Sequence, residues 1–67
     1  MTRLPKASKA LVKAFAQDLL DDYGDLARSS EFFMDLFVEG DVEITDPKTR
    51  KHYRVTYYDL EDAIDAL

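Results

Sequence analysis

The spacing of apolar and polar residues changes twice along the chain, from a helical period to an extended one and back. In the first third, apolar residues recur every three or four positions: Leu11, Val12, Phe15, Ala16, Leu19, Leu20 and Tyr23. This spacing is typical of an amphipathic helix with a wide buried face. Pro5 suits a first helical turn and Gly24 suits a left-handed C-cap, so we expect the first helix at about residues 5–23.

The next segment is short and rich in phenylalanine. Three of its apolar residues fall on one helical face: Leu26, Phe33 and Phe37. Asp25 or Ser30 can open the segment as an N-cap, which predicts a second helix at about residues 26–38. The connection to the first helix is short, so the two helices are expected to be neighbours. Residues 31–37 carry more large side chains than one narrow face needs, and we expect most of them in the core and a minority in an exposed patch.

Beyond residue 40 the period changes to two, which predicts two half-buried strands. In the first strand Val42 and Ile44 are the apolar positions, and in the second Tyr53 and Val55. The residues between them, Asp46-Pro47-Lys48-Thr49, are typical of a type I turn, with aspartate first and proline second. The two strands are therefore expected to form a hairpin.

The register of this hairpin follows from matching apolar positions across it. Four cross-strand pairs are predicted: Val42–Val55, Glu43–Arg54, Ile44–Tyr53 and Thr45–His52. We expect ion pairs between Arg54 and Glu43 and between Lys51 and Asp46. Arg50 falls at a loop position that prefers a positive φ and glycine, so a local cost is expected there.

The last segment has the clearest start signal in the chain. With Thr56 as N-cap, Asp59 takes the third helical position, a variant of the capping box. The helix is predicted at about residues 57–67, with one buried stripe: Tyr57, Leu60, Ile64 and Leu67. Its outer face is then Tyr58, Glu61, Asp62 and Asp65.

These elements predict an α+β fold of order ααββα in a single domain of residues 1–67. A two-stranded hairpin is marginal in water by itself, so its apolar face must lie on the helices. The chain has no cysteine, which excludes disulfides and thiolate zinc sites. We find no apolar leader and no apolar run near the ~18–20 residues that a membrane span needs, and therefore expect a cytoplasmic protein.

Catalytic chemistry is not indicated by any motif. The single histidine, His52, has basic neighbours on a predicted exposed strand, where nothing would orient it for catalysis. Both glycines fall at predicted helix ends, so there is no glycine-rich phosphate loop. We expect neither enzymatic activity nor a cofactor or metal.

The acidic surface of the third helix provides the leading functional hypothesis. The formal net charge is -5, and Tyr58 lies among Glu61, Asp62 and Asp65 on the outer face. A tyrosine surrounded by acids can anchor a basic protein surface, since aromatic residues are enriched at interface hot spots. The hypothesis is a non-enzymatic protein-binding module: an inhibitor, adaptor or assembly factor. An acidic mimic of nucleic acid is a variant of it, and a solvated face without function is the simplest alternative.

Nucleic-acid binding is the second hypothesis. The basic residues that suggest it are three in the first helix and two at the hairpin tip: Lys6, Lys9, Lys13, Lys48 and Arg50. Net negative charge disfavours it, because such binding depends strongly on phosphate contacts. Glu31 and Asp35 on the second helix also disfavour a recognition helix, which reads bases with basic or amide side chains. The sequence leaves the oligomeric state open, a dimer included.

Overall fold

Three α-helices and one antiparallel hairpin make up most of the computed structural model, which describes residues 3–67. In chain order the elements are α1 (Lys9–Tyr23), a 3-10 helix (Gly24–Arg28), α2 (Ser30–Leu36), β1 (Val42–Thr45), β2 (His52–Val55) and α3 (Tyr57–Asp65). The α+β class is confirmed, and the order agrees roughly with the predicted ααββα. The first two residues of the predicted domain lie outside the described part.

The N-terminal segment is extended, so the predicted start of α1 at Pro5 is wrong. Helix α1 begins after Ser8, whose Oγ accepts a hydrogen bond from the Leu11 amide at 3.2 Å. The preceding residues lie parallel to β2. The Arg54 amide donates to the Pro5 carbonyl at 2.9 Å, and the Ala7 amide donates to the Arg54 carbonyl at 2.9 Å. Proline is tolerated at such an edge because only its carbonyl is needed.

The predicted second helix is broken in two, which corrects its expected boundaries. Ser29 is extended, with φ -83° and ψ 147°, and its side chain accepts a hydrogen bond from the Phe32 backbone amide at 3.1 Å. A serine that caps the following helix offers the backbone an alternative to continuing the preceding one. Leu26 is therefore not on a shared buried face: it is 55% exposed, and Ala27 is buried in its place.

The hairpin has the predicted register at all four pairs. The Asp46 amide donates to the Lys51 carbonyl at 2.9 Å and closes the loop. Arg50 has a φ of 61°, the left-handed conformation expected at this position. Apolar matching and turn chemistry therefore suffice to specify the pairing.

The predicted ion pairs of the hairpin are wrong. Arg54 lies beside Glu43 in the register, but its guanidinium donates to the Asp41 carboxylate at 2.9 Å and to the Leu4 carbonyl at 2.9 Å. The Asp46 carboxylate accepts from the Lys48 amide at 2.9 Å, a local turn contact, and forms no ion pair with Lys51. A side chain with several rotatable bonds can reach more than one partner, so the strand register alone does not determine its ion pair.

The core lies where α1 packs on α3, with one buried residue each from the 3-10 helix, α2 and β2. Its buried residues are Val12, Ala16, Leu19, Ala27, Phe33, Val55, Leu60 and Ile64. Helix α3 begins as predicted, since the Thr56 hydroxyl accepts from the Asp59 amide at 3.2 Å. It ends at Asp65, so Leu67 lies beyond it and is 37% exposed, contrary to the predicted buried stripe. Within residues 3–67, no helix has the length and apolar character that crossing a bilayer requires.

Candidate protein-binding site

The four predicted residues on the outer face of α3 are all exposed. Tyr58 is 75% exposed, and Glu61, Asp62 and Asp65 follow it along the helix. Within the described residues, none of the three carboxylates forms an ion pair. The face thus presents one large aromatic ring beside three carboxylates that form no ion pair in the described residues.

The Tyr58 ring rests on an aromatic cluster that reaches into the core. Its centroid lies 5.7 Å from that of Tyr57 at 75° between planes. The Tyr57 ring in turn lies 5.2 Å from Phe33 and 5.5 Å from Phe37, both edge-to-face. Such pairs stabilise one another by about 0.5–1.5 kcal/mol beyond their burial. The exposed ring therefore lies against a supported neighbour, which lowers the entropy lost when a partner immobilises it.

Arg28 joins this face from the 3-10 helix. Its two terminal nitrogens donate to the Ile64 carbonyl at 3.2 Å, in the last turn of α3, and to the Leu67 carbonyl at 3.4 Å, just beyond it. Together with Glu61 and Asp65 it lines a hollow of about 120 Å³. The last helical carbonyls lack partners within their own helix, and α3 has no basic residue in its last turn to serve them. Sequence reasoning missed this role because the two partners are 36 and 39 residues away.

The acidic residues divide between two sides of α3. Glu61 and Asp65 lie beside Arg28, whereas Asp62 lines a groove between α1 and α3 of about 630 Å³. Asp59 lies in the same groove, and its carboxylate is 3.5 Å from the Lys6 ammonium. Asp62 is therefore a flanking charge, and Tyr58, Glu61 and Asp65 form the central stripe of the face.

The basic residues of the nucleic-acid hypothesis fall into two separate clusters. Lys6, Lys9 and Lys13 line the groove opposite Asp59 and Asp62, so acidic side chains share it. The other two are exposed at the hairpin tip: Lys48 and Arg50. Four residues of extended chain, about 13 Å, separate the tip from the point on β2 where the N-terminal segment pairs, and that segment runs away from the tip. The structure does not bring the five residues onto one surface.

The aspartates at the end of α1 have no arginine partner in the described residues. The Asp21 carboxylate accepts from the side-chain Nε2 of Gln17 at 3.0 Å, and Asp18 and Asp22 are exposed. In the described part of the chain, Arg28 and Arg54 are occupied by the contacts given above, and none of these aspartates forms an ion pair. No cluster of potential metal ligands occurs in residues 3–67.

Comparison with known proteins gives no relative from which a role could be transferred. No protein-family model matches the chain, and neither the curated proteins nor the solved structures contain a match. A function can therefore be inferred only from the exposure, packing and charge of the residues themselves.

Proposed function

We propose that the protein is a cytoplasmic, non-enzymatic protein-binding module, an inhibitor, adaptor or assembly factor, and that it binds a partner with a basic surface. The outer face of α3 is the binding surface. The observation that carries the proposal is Tyr58: the ring is 75% exposed, supported by Tyr57 and bordered by carboxylates without ion pairs in residues 3–67. A large aromatic ring that is exposed to solvent and packed against a neighbouring ring is typical of the residues that anchor protein interfaces.

The two kinds of side chain on this face have different roles in binding. Tyr58 would be covered by the partner and would contribute mainly to the lifetime of the complex. The carboxylates would attract a basic partner over a distance and contribute mainly to the association rate. Asp62, on the flank, would act through its charge alone.

Arg28 limits the range of partners that fit. It places one positive charge beside Glu61 and Asp65, and its guanidinium is held by the carbonyls at the end of α3. A partner that places lysine or arginine over Tyr58 and Asp62 avoids repulsion from Arg28. A partner whose basic residues lie over Asp65 is repelled by it. A mimic of nucleic acid would use the same face toward a nucleic-acid-binding protein. Nucleic-acid binding itself has less support, because the basic residues are divided and the groove lysines face acids.

The first experiment identifies the partner. The protein is immobilised and used to capture proteins from native lysate, with and without nuclease, and the captured proteins are identified by mass spectrometry. Proteins retained after nuclease treatment support the proposal. Capture that depends on nucleic acid supports the second hypothesis instead.

Surface plasmon resonance on variants then locates the site. We expect Tyr58→Ala to speed dissociation by about tenfold or more, and Asp62→Lys with Asp65→Lys to slow association and reverse its salt dependence. Tyr23→Ala is the matched aromatic control, since Tyr23 is 51% exposed and lies on α1 and not on α3. Asp18→Lys with Asp22→Lys is the charge control. Wild-type rates in the α3 variants, with unchanged melting, would place the binding site elsewhere.

A further inference from the structure

The outer edge of β1 carries backbone groups that no described residue satisfies. In an antiparallel pair, alternate residues direct their N–H and C=O groups toward the partner strand and away from it. The backbone N–H and C=O of Arg54 both form hydrogen bonds with the N-terminal segment, so these two groups point away from β1. The backbone N–H and C=O of its cross-strand neighbour Glu43 therefore point away from β2.

The same alternation extends along the strand. The Asp46 amide donates to the Lys51 carbonyl, so the backbone groups of Asp46, Ile44 and Val42 point toward β2. Those of Glu43 and Thr45 point outward, away from the hairpin. Among residues 3–67, the outward groups have no hydrogen-bond partner, and β1 packs substantially on no element other than β2. An open edge of this kind is a template for another strand.

We propose that β1 pairs antiparallel with β1 of a second copy of the chain, about a two-fold axis at Ile44. The pairing would join the two hairpins into one continuous sheet through four hydrogen bonds between Glu43 of each copy and Thr45 of the other. This inference is independent of the proposed function, which uses α3 and not the hairpin.

The register is singled out by the residues that would meet. An axis at Glu43 would place two glutamates directly opposite each other, which is destabilising. An axis at Thr45 would place Glu43 opposite Pro47, which has no N–H to donate. With the axis at Ile44, two half-buried isoleucines meet on the apolar face and each Glu43 lies opposite a threonine. The two glutamates then lie on a diagonal, about 7–8 Å apart.

Charge complementarity supports a second copy as the occupant of this edge. In this register Asp46 of one copy comes opposite Val42 of the other, so the turn that carries Lys48 approaches the start of the other β1, where Glu39 and Asp41 lie. The basic hairpin tip forms no ion pair in the described residues, and it thus comes near Glu39, which forms none either, and Asp41, which pairs with Arg54 of its own chain. A self-complementary patch of this kind is what a two-fold interface requires. Two four-residue strands bury a small area, so the association should be weak and dependent on concentration.

Cysteine cross-linking tests the register directly, because the chain has no cysteine of its own. Across the proposed axis the two Ile44 Cα atoms would be about 4.5 Å apart, within disulfide range, whereas Glu43 and Thr45 would each be beyond about 7 Å from their own copy. We expect Ile44→Cys to form the intermolecular disulfide at least about tenfold faster than Glu43→Cys or Thr45→Cys. A mixture of Glu43→Cys and Thr45→Cys proteins should cross-link faster than either one separately.

A second measurement covers the case in which a cysteine variant folds poorly. The diffusion of the wild-type chain is measured by NMR from about 10 µM to about 1 mM, the range expected for a small interface. Diffusion should slow with concentration, and the Glu43 and Thr45 amide signals should shift. Thr45→Pro removes one outward N–H and should abolish the change, while Thr45→Ala keeps that N–H and loses the same contact with His52. Lys48→Glu, which leaves the strand intact, should weaken association severalfold.

Three outcomes would overturn the inference. The first is diffusion that stays constant over the whole range. The second is self-association that Thr45→Pro leaves unchanged, and the third is an equal cross-linking rate at all three cysteine positions, since each of these two would show that the contact lies away from the β1 edge.

Discussion

Helix α3 and the β-hairpin are both specified by clear local signals, but the rest of the chain completes them to different degrees. The start of α3 is capped by Thr56, its inner face is buried through Leu60 and Ile64, and its end is held by Arg28. The start, the inner face and the end of this helix therefore each have a partner within the described chain.

The hairpin is completed on one side only. Its β2 edge is covered by the N-terminal segment, but the outer edge of β1 has no such cover among the described residues. Its loop also retains Arg50 at a φ of 61°, where glycine would fit without strain. Clear local signals therefore specify an element without ensuring its stability. The stability depends on how much of the remaining chain packs against the element.

The largest expected difference between the two regions is at their apolar residues. Leu60→Ala should lower the free energy of unfolding by about 2–5 kcal/mol, because Leu60 is fully buried and its removal leaves a cavity. Ile44→Ala should cost much less, since Ile44 is only half-buried. Denaturant melts compare the two. Equal losses would mean that the hairpin contributes as much to the core as α3.

The next effect is at the N-cap of α3. Thr56→Ala should cost about 0.5–2 kcal/mol, because the Asp59 amide loses its acceptor. Thr45→Ala is the matched change in the hairpin; it removes an exposed contact to His52 and should stay within about 0.5 kcal/mol. Thermal melts of both variants, read by circular dichroism, provide the measurement. A Thr56 variant as stable as the wild type would argue that the cap contributes nothing.

Arg28 gives a smaller effect of the same sign. Arg28→Met keeps much of the side-chain volume but removes two hydrogen bonds to the end of α3, for a loss of about 0.5–1.5 kcal/mol. Faster hydrogen exchange should be confined at first to the last turn of α3. Lys51→Met, on the hairpin, removes the same charge without a side-chain contact in the described residues and serves as control. Equal effects of both variants would assign the loss to net charge.

The smallest effect should have the opposite sign. Arg50→Gly relieves a left-handed backbone conformation and should raise stability by up to about 1 kcal/mol, after the added flexibility of the unfolded chain is subtracted. The converse change, Gly24→Ala, should lower stability because Gly24 has a φ of 60°. No atom lies within 4 Å of the added methyl group, so the cost comes from backbone strain and not from a steric clash. Denaturant midpoints measure both. A destabilising Arg50→Gly would indicate that the arginine side chain makes a contact of its own.

Local interactions account for the parts of the fold that were predictable. The cap at Thr56 involves residues three apart, and the hairpin register follows from a period of two together with a short turn. The exposure of Tyr58, Glu61, Asp62 and Asp65 follows from helical geometry once the buried stripe is known. These features depend on neighbours in the chain, and a pattern of residues is a direct record of them.

Contacts between distant residues decided the rest, and no local pattern specifies them. The pairing of the N-terminal segment with β2 joins Leu4 and Arg54, 50 residues apart, and it displaced the predicted start of α1. The candidate site depends on the same kind of contact: Phe33 and Phe37 reach Tyr57 from α2, and Arg28 reaches the end of α3. The sequence by itself determined which side chains α3 turns outward. Only tertiary packing decided that Tyr58 is supported from below and that Asp62 lies in a different hollow from Asp65, because both depend on which elements lie on either side of the helix.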